Sequence, residues 1–318
     1  MNDALPILND SAILAARPAR NQLSFEQPWH SLVERELTAE GVVKDVTTLF
    51  LTNRECAFRC LMCDLWKNTT EVTTPRGAIP QQIRYALSQL PAAQHIKLYN
   101  SGNFFDPGSV PRADLAETAS LVRGFENVIV ENHPRLVSPR CAEFQQACGT
   151  RLEVAMGLET SHEPTLARLN KQMTISSFAA ACQQLLQYQI QIRCFILLRP
   201  PFTSEAEGVD RAIESVKFAF DCGVGCCAVI PTRAGNGILD QLQSDGHFQP
   251  PTLSSLERVM DETTSWQSGR VFADLWDLSR FAKCPHCADD RIARLHALNL
   301  TQRPQSRIQC SHCESAFS

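Results

Sequence analysis

From about residue 45 onward, short apolar runs alternate with longer stretches of helical character. The pattern predicts strands over Val46–Thr52, His95–Asn100, Asn127–Glu131, Leu152–Leu158, Ile190–Leu198 and Cys226–Ile230. Helices are predicted between them, over Pro80–Leu90, Arg112–Arg123, Pro139–Cys148, Ser176–Tyr188 and Glu205–Cys222. The punctuation agrees with these bounds. Gly124, Gly149 and Gly223 each follow a helical run, where a left-handed residue ends the helix. Ser138-Pro139 reads as an N-cap followed by proline at the first helical position, and Ser204 to Glu207 has the capping-box pattern. Residues 1–44 are polar and dotted with proline, which predicts an arm with a short helix around Leu32 to Leu37. Six strand–helix repeats imply parallel strands joined by right-handed crossovers, hence an α/β fold built as a partial or full barrel over residues 45–268. Residues 269–318 then form a C-terminal extension.

Active sites of such folds lie at the C-terminal ends of the strands. The segments leaving the predicted strands include Ser101-Gly102-Asn103, Asn132-His133, Glu159-Thr160, Arg199-Pro200 and Pro231-Thr232-Arg233. All are polar or turn-forming, and the barrel topology brings them to one face. Arg199 and Arg233 are candidates to grip an anionic group of a substrate, since guanidinium pairs well with carboxylate or phosphate; a structural ion pair is the alternative for each.

Composition narrows the class. The chain has 318 residues, 44% hydrophobic and 20% charged, with a net charge of −4. These are the values of a soluble globular protein, and nothing in the overall charge draws it toward nucleic acid or an anionic membrane. No apolar run is long enough to span a membrane, and the start of the chain lacks a signal-peptide pattern, so a cytoplasmic protein is expected.

The 14 cysteines add chemistry. Three of them, Cys56, Cys60 and Cys63, fall on the loop that leaves the first predicted barrel strand, spaced C-x3-C-x2-C. Thiolates suit iron–sulfur clusters or zinc, and a cubane [4Fe-4S] cluster normally takes four of them. With three local thiolates, one iron keeps an open site. A zinc site, or a role as small core residues, is the alternative. Two further pairs, Cys284 with Cys287 and Cys310 with Cys313, have the knuckle spacing of a zinc ribbon. A structural zinc is expected there, with a second cluster or free thiols as alternatives.

The Cys56–Cys63 spacing resembles the signature of the radical S-adenosylmethionine (SAM) superfamily, with Met62 where that family usually has an aromatic residue. The segment Lys97 to Asp106 resembles the small-residue motif that radical SAM enzymes carry after the second strand, the turn Glu131-Asn132-His133-Pro134 ends the third strand, and the strand Glu153 to Thr160 with the pair Asn170-Lys171 resembles the Elongator-catalytic-subunit-like branch. Taken together they look most like the radical SAM subunit of archaeosine synthase and its uncharacterised relatives. The resemblance implies a partial (β/α)6 barrel in which Cys56, Cys60 and Cys63 hold the cluster and SAM chelates the open iron. It also implies that Ser101, Gly102, Asn103, Glu131, Glu159 and Thr160 line the SAM site. The implied activity is reductive cleavage of SAM, of the oxidoreductase or lyase type, starting radical chemistry on a modified nucleoside, a tRNA base or a related small molecule. An external electron donor and a partner subunit are the implied partners. Two other readings remain: a non-catalytic zinc-binding structural or interaction protein, and a cluster-bearing scaffold or electron carrier.

Overall fold

The computed structural model describes residues 8–314. The first and last residues of the expected arm and extension (1–7 and 315–318) lie outside the described residues. Among the described residues, eight strands form one sheet in sequence order: β1 (His30–Leu37), β2 (Val43–Phe50), β3 (His95–Tyr99), β4 (Asn127–Glu131), β5 (Arg151–Glu159), β6 (Gln191–Leu198), β7 (Cys226–Pro231) and β8 (Arg270–Ala273). Strand β1 is antiparallel to β2, and every later pair is parallel. The crossovers carry α2 (Ala78–Gln89), α3 (Leu115–Val122), α4 (Pro139–Cys148), α6 (Ile175–Gln187), α7 (Glu205–Asp221) and α9 (Leu253–Ser265). Before the sheet lies α1 (Asp10–Ala15); α5 (Glu163–Arg168) and α8 (Ile238–Ser244) sit in the loops after β5 and β7. Helix α10 (Ala288–Thr301) packs on both edge strands, β1 and β8, and α11 (Ser311–Glu314) ends the described chain. The expected partial α/β barrel is therefore present, and its sheet takes in segments from both the expected arm and the expected extension.

The predicted helix around Leu32 to Leu37 is a strand. Its leucines, glutamates and arginine are good helix formers, so local propensity favours a helix. Long-range pairing overrides it: His30 to Leu37 runs in full register against Phe50 to Val43, which turns Glu34 and Glu36 to the inside of the barrel. There they meet cations. Lys97 Nζ lies 2.9 Å from Glu34 Oε1 and 2.6 Å from Glu36 Oε2, and Arg193 Nη2 lies 2.6 Å from Glu36 Oε1. Arg193 Nε also meets Glu153 Oε1 at 2.8 Å, with Arg270 at 3.7 Å. Burial alone would raise the Glu36 carboxyl, but the Arg193 and Lys97 charges hold it far below the usual carboxylate range.

Alternation along the strands separates two environments. Leu49, Leu98, Val130, Val154, Ile196 and Val229 face outward and are buried beneath the helices. The inward positions carry the ion-pair network low in the barrel. The edges of the sheet approach each other at that level, where Arg270 Nη1 donates to the Leu37 carbonyl at 3.2 Å.

Candidate functional site

The segment after β2 continues the sheet for one more bond, from the Leu51 N–H to the Tyr99 carbonyl at 2.7 Å. The Gln82 side chain then clasps both backbone groups of Thr52, at 2.7 and 2.9 Å. Beyond it the cysteine loop is pinned from several elements. Glu55 is ion-paired to Arg17 at 2.7 Å, to Arg59 at 3.2 Å and to Arg20. The Leu61 N–H donates to the Leu169 carbonyl at 2.8 Å, and the Asn170 amide donates to the Arg59 carbonyl at 2.8 Å. Asn236 Nδ2 reaches the Leu61 and Cys63 carbonyls at 2.8 and 3.2 Å, and the Trp66 indole N–H also donates to the Cys63 carbonyl at 3.1 Å. A loop tied down this way holds three sulfurs in fixed places at low entropic cost.

Asn103 links the loops after β2, β3 and β4. Its Nδ2 donates to Cys56 Sγ at 3.0 Å, and its Oδ1 accepts from the His133 N–H at 2.7 Å. The His133 ring stacks on Phe58, with centroids 3.8 Å apart and planes 19° apart, and His133 Nε2 lies 3.0 Å from the Lys171 carbonyl. Burial pushes the Cys60 thiol up to about 11, while the Lys171 ammonium pulls the other way. A bound cation would hold these sulfurs as thiolates.

Two loops carry buried polar atoms with no partner among the described residues: Asn53 Oδ1, both amide atoms of Asn100, and Ser101 Oγ. Buried polar groups are normally paired. The amino, carboxylate and ribose hydroxyl groups of SAM supply the donors and acceptors that these atoms lack, so the residues present fit that cofactor. Gly102 packs close beside them; a Cβ there would lie 3.7 Å from Cys56 Cβ.

Glu131, at the end of β4, accepts from the Asn100 N–H at 3.1 Å and also from the amides of Ser101 and Gly102. It thus braces the loop that carries them. Burial nevertheless raises its carboxyl from 4.5 to about 7. A raised folded value means that this group stabilises the fold below about pH 4.5, and that the contribution is lost as the pH rises through about 7. Glu131→Gln is expected to remove that slope: in urea titrations from pH 4.5 to 8, the variant should gain on the parent steadily as pH rises. A parallel pair of curves would refute this.

At the end of β5 the register with β6 shifts between Gly157 and Glu159, and Glu159 takes a left-handed φ of 67°. Its carboxylate is paired with Lys171 at 2.5 Å, both side chains being buried. The pair lies against Gly157, where a Cβ would overlap both charged groups. Gly157→Ala should therefore displace the pair and cost about 1–3 kcal/mol, read as a lower urea midpoint. An unchanged midpoint would count against this packing. Thr160 is buried in a local turn, its hydroxyl accepting from the His162 N–H at 3.2 Å.

The two arginines have partners. Arg199 Nη1 meets Glu205 at 2.6 Å and the Pro250 carbonyl at 2.9 Å, bracing the entry to α7 beside a cleft of ≈ 410 Å³. Arg233 pairs with Asp274 at 2.5 Å, between the ends of β7 and β8. Ion pairing is thus the contact each makes here.

Cys284, Cys287, Cys310 and Cys313 converge, with all four sulfurs within 4.8 Å of one another; Cys284 and Cys310 are 4.0 Å apart, Cys287 and Cys313 3.6 Å. A tetrahedral ion with metal–sulfur bonds of about 2.3 Å places its sulfurs about 3.8 Å apart, so this group suits a single ion. His286 and His312 stack beside it, with ring centroids 3.9 Å apart. Among the described residues no other group of three or more His, Cys, Asp or Glu ligand atoms gathers this tightly, the Cys56 loop included. Sulfurs that bind separate irons of one cluster need to stand farther apart than sulfurs on one ion.

No family model matches the chain. It is 22% identical over 231 residues to an uncharacterized protein of Methanocaldococcus jannaschii, covering 68% of this chain and 63% of that protein. It is 25% identical over 226 residues to the archaeosine synthase subunit beta of Thermococcus kodakarensis, covering 68% and 69%. The chain thus spans less than two thirds of the first of these relatives. Its fold is similar to that of Methanocaldococcus infernus Elp3 with its N-terminus deleted, at a TM-score of 0.52 and 13% identity over 70% of this chain and 59% of that one. The chain has a radical SAM fold. Within that fold the resemblance read from residues 45 onward stands, including the Elongator-like branch and the likeness to the archaeosine synthase subunit. Among the described residues, no helix of the radical SAM fold is long and apolar enough to cross a membrane.

The structure also brings in residues that the motifs did not mark as site residues: Asn53, Phe58, Asn100, His133, Lys171 and Asn236. The signal for His133 and Lys171 lay in the Glu-Asn-His-Pro turn and the Asn-Lys pair. Asn236 had none, because only the folded chain sets it beneath Leu61.

Proposed function

We propose that the protein is a radical SAM enzyme acting on a modified nucleoside, a tRNA base or a related small molecule, with an external electron donor. The observation that carries this reading is the pinned loop of Cys56, Cys60 and Cys63 beside the unpartnered polar atoms of Asn53, Asn100 and Ser101. Cys56, Cys60 and Cys63 would hold a [4Fe-4S] cluster, and Ser101, Gly102, Asn103, Glu131, Glu159 and Thr160 would frame SAM. When bound, this pair of cofactors supplies reductive cleavage of SAM and an organic radical able to remove hydrogen from a substrate.

The chain's own residues orient and enclose. Asn103 donates to Cys56 Sγ, which favours the thiolate form and fixes the sulfur's direction. The Phe58–His133 stack ties the cysteine loop to the turn after β4. Lys171 keeps a positive charge near Cys56 and Cys60, offsetting thiolate charge. Arg233 and Arg199 remain the candidates for an anionic group of the substrate, once it exchanges with their present carboxylate partners. The name of the Thermococcus relative, a subunit beta, supports a partner subunit and the nucleoside class.

Anaerobic reconstitution with iron and sulfide, followed by SAM and dithionite, tests the reading: 5′-deoxyadenosine and methionine should appear. Cluster uptake without either product would favour a scaffold or electron carrier. A colourless protein holding only zinc would favour a structural role. We further propose that the C-terminal cysteines hold one zinc ion as a structural knuckle of the 269–318 extension. Cys287→Ala should then lose one zinc per chain by elemental analysis and melt several degrees lower, with iron at the Cys56 loop unchanged. Iron in place of zinc at these positions would sink that assignment.

A further inference from the structure

Residues 9–21 cross the cysteine loop as a strap. Asn9 caps α1, accepting from the Ala12 N–H at 3.0 Å, and Asp10 Oδ1 accepts from the Asn170 amide at 2.6 Å. Ile13 is buried in a small second core with Leu61, Leu169 and the α8 residues Ile238 and Leu239. Beyond it the chain runs so close to the start of α8 that a Cβ at Gly237 would overlap the Ala16 carbonyl. The far end is tied as well. The Asn21 N–H donates to the Lys67 carbonyl at 3.0 Å, and the Asn21 side-chain amide to Asn68 Oδ1 at 2.6 Å. The strap thus runs from Asn170, after α5, to Lys67, just past the cysteine loop.

Two arginines of the strap reach both ends of the loop. Arg17 Nη1 lies 2.7 Å from Glu55 Oε1, and Arg20 pairs with Glu55 Oε2. Glu55 directly precedes Cys56 in the chain. The same two guanidiniums lie over the Trp66 ring, 4.5 and 5.6 Å from its centre. Arg20 Nη1 also donates to the Trp66 carbonyl at 2.8 Å. Trp66 holds the other end of the loop, since its indole N–H donates to the Cys63 carbonyl. A plain structural pair would need only one arginine for Glu55. Arg59 is a third, at 3.2 Å, so among the described residues three guanidiniums face one carboxylate whose side chain is 9% exposed. The other acid in reach, Glu71 at 3.4 Å from Arg20, is 80% exposed and offsets little. The Arg17 side chain is 8% exposed, and its Nε is buried without a partner among the described residues. Buried positive charge in excess calls for an anionic neighbour.

We propose that Arg17 and Arg20 are positioning residues of the cluster site: they clamp Cys56 through Glu55 and Cys63 through Trp66, and their excess charge favours the reduced cluster. The inference rests on the enzyme reading above. A cubane on three thiolates carries net negative charge, and one electron from the external donor adds to it with no bond or proton changing. Cations held beside the loop therefore favour the reduced form and raise the potential. The clamp also fixes where the outer sulfurs stand, because Cys56 and Cys63 are the first and last thiols of the loop. Lysine replaces neither arginine fully. Its ammonium is a point charge, whereas a planar guanidinium pairs with Glu55 and covers Trp66 at once.

The test uses the full chain reconstituted anaerobically with iron and sulfide. Two double variants are compared with the parent, Arg17→Met with Arg20→Met and Arg17→Lys with Arg20→Lys, each checked for folding by circular dichroism. A ferrous chelator should strip iron from both variants about tenfold faster than from the parent. The midpoint potential, followed by electron paramagnetic resonance during reductive titration, should fall in the methionine variant and stay at the parent's value in the lysine variant. Iron loss at the parent's rate in both variants, or a folded methionine variant at the parent's potential, overturns the proposal. Should the methionine variant fail to fold, the lysine variant decides alone, and iron loss from it at the parent's rate overturns the clamp. The parent's release of 5′-deoxyadenosine is scored separately: release, with variants that match the parent, removes the clamp and leaves the enzyme reading. A parent that takes up no iron at the loop sinks the enzyme reading, and the clamp with it.

Discussion

Cys56→Ala is expected to bring 5′-deoxyadenosine release down to the protein-free background in the anaerobic SAM and dithionite assay, with iron content falling in parallel. The reason is coordination number. Three local thiolates are the fewest that leave a cubane with a single open iron, so losing one leaves two open positions and a cluster that does not persist. Cys56 carries an additional contact, because Asn103 donates to its sulfur and ties the loops after β3 and β4 to the cysteine loop. Cys141→Ala is the matched control. That thiol is buried in α4 within the main core, far from the loop in sequence, and its loss should leave release intact while removing a little packing. Release by Cys56→Ala at the parent's rate would refute the catalytic assignment of the loop.

The largest stability effect is expected at Arg193. Its guanidinium is 3% exposed and joins Glu36 and Glu153 across the barrel floor. Arg193→Met keeps much of the bulk but leaves two carboxylates buried beside Lys97 and Arg270 alone. Breaking a buried pair from one side costs about 3–5 kcal/mol, which for a chain of this size is roughly a 10 °C fall in melting temperature. The pH dependence has a definite sign. In the parent, Glu36 and Glu153 are held below their ordinary value of 4.5, so their contribution is present above about pH 4.5 and is lost as pH falls. In Arg193→Met both carboxyls rise, and protonating them becomes easier. The deficit should then be greatest near neutral pH and shrink on acidification. Adding Glu153→Gln to the variant should recover part of the loss. Equal melting temperatures for parent and Arg193→Met would show that the network is not holding the floor.

Much of the scaffold could be read from the chain. Strands β3 to β7 lie within a residue or two of their predicted bounds, because parallel strands covered by helices need apolar residues on their outer face throughout. Helix ends at Gly149 and Ser204 were legible too: Gly149 takes a left-handed φ of 65°, and Ser204 caps α7 reciprocally with Glu207. The two edge strands were not legible. In β1, leucines and charges read as a helix until β2 supplies the pairing, and β8 is only Arg270 to Ala273, too short to stand out. Within the site, the two sets of cysteine spacings were plain. The Glu159–Lys171 pair, the Asn236 support and the ring contacts of Trp29 with Phe50 and of His30 with Trp276 were not, because their members are brought together only by folding.

What the chain alone settled was the order of its strand–helix units and which sulfurs travel together, since apolar period and ligand spacing are local properties. Which residues face one another across the barrel was left to the folded structure. Alternation assigns a side chain to a face of its own strand, but the register, curvature and closing edges of the sheet decide its partner. That is why Lys97, Arg193 and Glu153 meet in the floor, and why Trp29 meets Phe50 and His30 meets Trp276.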